Sequence, residues 1–297
     1  MYNEIDIILD KNNDFSNDNF SNDKISNNLT HNPYIHIGYR NINKSITYYI
    51  KSLFIIHNQT SLLILCILRI FIAIYYYTSY VNYIKLDDLK ICLYLCLTSS
   101  IIQSIYSFIY HLFAPHKYGT IFRTLDLFAI LFCNIINYAI SCILFYNFIT
   151  NVAQPSRDVY NYISIFLNTS HICTGYFSYK YIHNIIRNIH NIHIDKSKQL
   201  YYTMWVVGLW YLYIFTLSII ISNKLIKHTG YYIGLFLFIG GVLYKYRIPE
   251  CIIQNKYTAF IFYSHALLHL CIINSNIYLF KFIYYYNNML VYESRNY

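Results

Sequence analysis

The chain has 297 residues, 57% of them hydrophobic and only 12% charged, with a formal charge of +9. A soluble domain carries about 25% charged residues, so this composition argues against a soluble protein and for one immersed in lipid. The basic residues are scattered between apolar runs, which suits contact with anionic lipid headgroups and gives no nucleic-acid-binding cluster.

In chain order, residues 1–30 are rich in Asn, Asp and Ser and offer too little apolar surface to fold alone, so they read as a disordered tail. Residues 31–60 form a mixed juxtamembrane segment. A transmembrane domain over 61–286 follows, and 287–297 make a short tail. Seven apolar runs, at about 61–84, 91–113, 125–149, 159–182, 201–222, 230–246 and 258–286, are long enough for a bilayer core of roughly 30 Å. Each must satisfy its backbone internally, so the fold class is an all-α, integral membrane seven-helix bundle. The eight cysteines lie mostly inside the apolar runs and contain no CxxC pair, so they read as buried small hydrophobes.

Lys and Arg near the spans set orientation. With the N-terminus cytoplasmic, the inner segments carry Lys44, Lys51, Lys117, Arg123, Arg187, Lys196, Lys198, Arg247 and Lys256. The outer ones carry Lys85, Lys90, Arg157, Lys224, Lys227 and Arg295. The inner excess favours a cytoplasmic N-terminus.

Ionisable groups within lipid are costly and mark function. The second span ends in SIYSFIYHLF, which sets Ser107 and His111 one turn apart on a helical face. Asp126 opens the third span, and SHALLHL places His265 and His269 one turn apart in the seventh. Three histidines from two helices can form an open tetrahedral zinc site. The competing reading is that each histidine only hydrogen-bonds a neighbouring helix, since HxxxH is common by chance. Arg69 reads as paired or facing a cavity, and Lys281 as snorkelling beside tyrosines. His183, His190, His193 and Asp195 read as a solvated loop, and Asn134, Asn137 and Ser141 as a polar stripe on the third span.

Five segments together resemble the progestin and adipoQ receptor family, which includes the haemolysin III branch. They are NPYIHIGYR (32–40), SLFIIHNQT (52–60), SFIYH (107–111), LDLFAI (125–130), and YKYRIPE (244–250) followed by SHALLHL (264–270). The chain departs from that pattern at Gln59, where the family commonly has Glu, and in the SLLILC that follows. The resemblance implies a seven-helix bundle with a cytoplasmic N-terminus, zinc held by His111, His265 and His269, and Ser107 and Asp126 beside the metal. It implies intramembrane hydrolysis of a lipid amide of the ceramide type, with Asp126 taking a proton from water or orienting a ligand imidazole. Ser107 would bond the water or the developing oxyanion. Two other activities stay open at this point: a haemolysin III-like pore-forming protein with structural zinc, and a receptor for a small lipid or steroid.

Overall fold

The computed structural model describes residues 39–150, 157–191, 196–253 and 262–293. The expected tail at 1–30, most of NPYIHIGYR, and His193 and Asp195 lie outside the described residues, as does the side chain of His190. The fold is all-helical, with no strands among the described residues. Among the described residues a short helix α1 (Ile46–Lys51) precedes seven long ones: α2 (Thr60–Tyr80), α3 (Asp87–Phe113), α4 (Gly119–Phe148), α5 (Arg157–Asn191), α6 (Lys196–Ile220), α7 (Lys224–Tyr246) and α8 (Ser264–Glu293).

Six of them (α2, α3, α4, α6, α7 and α8) are long and apolar enough to cross a membrane. Their outward faces carry large apolar side chains, Phe71 at 65% and Phe238 at 72% exposure among them. Such faces suit lipid, which offers them what water does not. The protein is thus a multipass membrane protein by its helices. The expected fourth span, now α5, falls short on composition because Asn161, Asn168, Thr169, His171 and Thr174 interrupt its apolar run.

The polar groups of α5 tie it to its neighbours. Tyr138 on α4 shares a hydrogen bond with Ser170 (2.8 Å), and Ser170 another with Tyr213 on α6. Tyr181 donates to the Leu127 carbonyl (2.9 Å). The pairing runs backwards along α4, with Leu127 meeting Tyr181, Tyr138 meeting Ser170 and Phe145 meeting Phe166, so α5 is antiparallel to α4. Helix α6 runs parallel to α4, because Asn134 meets Trp210 and Tyr138 meets Tyr213.

Several helices begin earlier than their apolar runs. Asn223 caps α7, its Oδ1 accepting from Leu225 N (2.9 Å) and Ile226 N (3.4 Å), which adds a polar first turn. Asp87 and Asp88 begin α3, where negative charge suits a helix N-terminus. The third span starts at Gly119, so Asp126 sits two turns inside α4 rather than at its opening. Arg123, read from the sequence as a loop charge, is likewise buried within α4.

One core unites α2, α3, α4, α6, α7 and α8 around the fully buried Tyr213, Phe282 and Tyr286. Helix α8 packs along α7 and also touches α2 and α3. At Gly240 a Cβ would come within 2.8 Å of the Cys271 Cβ and 3.2 Å of Leu268 Cδ1. The glycine therefore lets α7 press against α8 on either side of His269.

Candidate metal centre

Chain direction brings the candidate residues to one end of the bundle. The C-terminus of α3, the N-terminal turns of α4, the N-terminus of α2 and the N-terminus of α8 all lie there. His111, from the last turn of α3, meets His265 and His269 from the first two turns of α8. Ring centroids are 5.1 Å apart for His111–His265, 5.5 Å for His111–His269 and 5.1 Å for His265–His269. One ligand atom from each of the three lies within 4.8 Å of the others, forming a group that can hold a metal ion. His171 belongs elsewhere, on an exposed face of α5 and bonded to Tyr138 (2.8 Å). His183 is exposed on α5, so it lies in a helix rather than the expected loop.

The donor atoms fit a metal. His111 is 2% exposed. Its Nδ1 bonds Gln59 Oε1 at 2.9 Å, while Nε2 is buried and meets no hydrogen-bond partner among the described residues. A buried imidazole nitrogen facing two other imidazoles is costly unless something accepts its lone pair. Asp126 and Ser107 are buried beside one another, and Ser107 also faces Cys66. Asp126 Oδ1, too, lacks a hydrogen-bond partner among the described residues. Asp126 is not one of the three grouped ligands; it bonds Ser107, which lies one turn before His111 on α3. Tyr244 of α7 packs against His265 with centroids 5.3 Å apart.

Two buried charges pin the helix ends that present these histidines. Glu250, fully buried in the turn after α7, accepts from Ser264 N (2.7 Å) and from the Ser264 hydroxyl. A carboxylate at a helix N-terminus satisfies free N–H groups and complements the dipole. Arg40 serves the opposite end, donating to the carbonyls of His111 (2.6 Å) and Leu112 (2.7 Å) and to Ser52 Oγ (3.1 Å). Burial lowers Arg40 to about 10, so it remains a cation at neutral pH, suited to the C-terminus of α3. Deeper in the bundle, Arg69 donates to Ser100 Oγ (3.0 Å) and Gln103 Oε1 (2.8 Å). With its amide oxygen toward the guanidinium, Asn276 accepts from Arg69 Nε and Nη2 at 2.9 and 2.8 Å. Arg69 is therefore paired, as its sequence setting suggests.

Neither the models of known protein families nor the sequences of curated proteins match this chain. Sequence reasoning noted Gln59 only as a departure from the family pattern and gave no role to Glu250, Arg40 and Tyr244. All but Tyr244 act through hydrogen bonds across 12 to 72 positions of chain, and no local periodicity marks them. A cavity of about 700 Å³ at the other end of the bundle, lined by Phe148, Ile221, Asn223, Tyr285 and Met289, offers no imidazole, carboxylate or thiol.

The segment over this end is sensitive to acid. Burial holds His57 down to about 3, against an ordinary value of 6.5. Below pH 6.5 the exposed imidazole takes a proton that the folded one refuses, so the segment loses stability as pH falls toward 3. Between pH 7 and pH 5 the loss is about 2 kcal/mol. Amide hydrogen exchange over residues 39–59, corrected for intrinsic rates, should show protection falling accordingly, and His57→Gln should remove the dependence.

Proposed function

We propose that the protein is a zinc-dependent lipid-amide hydrolase that works inside the bilayer on a ceramide-type substrate. The observation that carries this is the convergence of three imidazoles at one bundle end, with His111 Nε2 and Asp126 Oδ1 both buried and without a hydrogen-bond partner among the described residues. Three nitrogen ligands leave the fourth tetrahedral position open, the arrangement of catalytic rather than structural zinc. The likeness of the flanking motifs to the progestin and adipoQ receptor family supports the same reading.

We further infer seven crossings with a cytoplasmic N-terminus. Helices α4 and α6 run parallel, and α5 retraces α4 from Tyr181 to Phe166, which supports α5 as the return crossing despite its polar residues. The excess of Lys and Arg on inner segments supports the orientation.

When bound, the metal supplies Lewis acidity and an activated water. His111, His265 and His269 would hold it at the last turn of α3 and the first turns of α8. Asp126 accepts the proton of the attacking water and passes it to the amine nitrogen as the C–N bond breaks, leaving a carboxylic acid and a free amine. Ser107 directs its hydroxyl to the carbonyl oxygen as negative charge develops there. On the α4 stripe, Asn134 accepts from Trp210 Nε1 (3.2 Å) and Asn137 from Cys96 Sγ (3.6 Å), which supports helix–helix hydrogen bonding over a pore lining for these residues.

The test is to purify the protein in detergent, measure bound metal, and follow cleavage of a fluorescent ceramide by wild type and His265→Ala. Zinc near one equivalent and cleavage lost in the variant are expected. Metal bound with no cleavage of any lipid amide would overturn the enzyme reading, and folded wild type without metal would overturn the site. Liposome leakage equal in wild type and variant would favour the pore.

A further inference from the structure

Gln59 stands where the resembling family commonly has Glu, and it hydrogen-bonds a ring nitrogen of the three-histidine group. From the proposed metal site, on which this rests, we infer that Gln59 is a positioning residue for the metal: it fixes the tautomer and ring angle of His111. Its Oε1 lies 2.9 Å from His111 Nδ1, and both side chains are buried.

An amide oxygen accepts, so Nδ1 carries the proton and Nε2 keeps the lone pair that a metal needs. The opposite arrangement, with the Gln59 NH2 toward Nδ1, would point an Nε2–H at two other imidazoles with no acceptor assigned to it. Gln59 is itself held firmly. It is the N-cap of α2; its N–H donates to His57 Nδ1 (3.1 Å) and its carbonyl accepts from Leu63 N (3.1 Å). A ring tethered from outside by a fixed acceptor cannot rotate away from its partners on α8. Arg40 holds the same residue by its backbone carbonyl, so His111 is braced at both side chain and main chain.

The partner is neutral, and this has a consequence. A carboxylate at this place would raise the basicity of the ligating nitrogen. With glutamine the orientation is kept while that added basicity is absent. Apolar replacement should therefore weaken the metal, and Glu should hold it at least as well.

Cobalt(II) titration of the full-length, metal-stripped protein in detergent tests this, read by the visible absorption of nitrogen-ligated cobalt and by the cobalt-induced rise in melting temperature over each variant's own metal-free value. Gln59→Met should bind cobalt 10–100-fold more weakly, with a smaller melting shift. Gln59→Glu should bind within about threefold of wild type or more tightly. Should the Met variant fail to fold, Gln59→Asn withdraws the acceptor by one methylene while keeping the amide, and the same loss is expected. Wild-type affinity in either the Met or the Asn variant would overturn the inference while leaving the metal site standing. Wild type that binds no cobalt would overturn the metal site and this inference with it.

Discussion

Replacing His269 with alanine should lower metal affinity on the order of a thousandfold and abolish amide cleavage, with helix content unchanged. The magnitude follows from ligand sharing. A structural zinc site binds with about 10–16 kcal/mol, so loss of one ligand costs roughly 4 kcal/mol, which is about three decades. The remaining pair, His111 and His265, comes from two different helices, and among the described residues no other His, Cys, Asp or Glu joins their group. His269 sits on the first turns of a 30-residue helix whose contacts with the main core lie further along, at Leu279, Phe282 and Tyr286. The fold should therefore tolerate the change. Metal content after dialysis, together with far-ultraviolet circular dichroism, reads both halves of the claim. Full retention of metal in the variant would remove His269 from the ligand set.

Glu250→Ala should destabilise the protein by about 3 kcal/mol. Loss of a helix cap costs about 1 kcal/mol, and leaving a buried N–H unpaired costs about 1–3 kcal/mol more. Here the carboxylate is fully buried and bonds both the Ser264 N–H and its hydroxyl, so neither group can turn to water when it is removed. The melting midpoint should drop by roughly 6–10 °C. Glu250→Gln keeps an acceptor for one of the two donors and should lose only about 1 kcal/mol, the share of the charge at a helix N-terminus. Because Ser264 immediately precedes His265, the Ala variant should also bind metal less tightly than wild type. A midpoint unchanged within a degree would show that the cap does not hold α8 in place.

The helical class was legible because apolar runs of membrane length carry their own explanation: a backbone in lipid must bond to itself. The three histidines were legible as candidates because two share a helical face and all three stand in apolar surroundings. Helix α5 shows where this stops. Its Asn, Ser, Thr and His residues weaken the hydropathy signal, yet Ser170 and Tyr181 spend their polarity on α4 and α6. Hydropathy counts a polar atom as costly whether or not a neighbour satisfies it. Helix starts shifted for a related reason: Asn223 and Asp87 extend helices by capping and by charge, which an apolar window ignores.

Sequence by itself determined that this chain is helical, lipid-immersed and equipped with histidines, because composition and period act over a few neighbouring residues. Only the tertiary structure decided that His111 meets His265 and His269, that Gln59 bonds His111, and that Glu250 and Arg40 pin the helix ends. Those contacts join helices distant in the chain. They arise from how α2, α3 and α8 pack, and no local pattern encodes the place where packed helices meet.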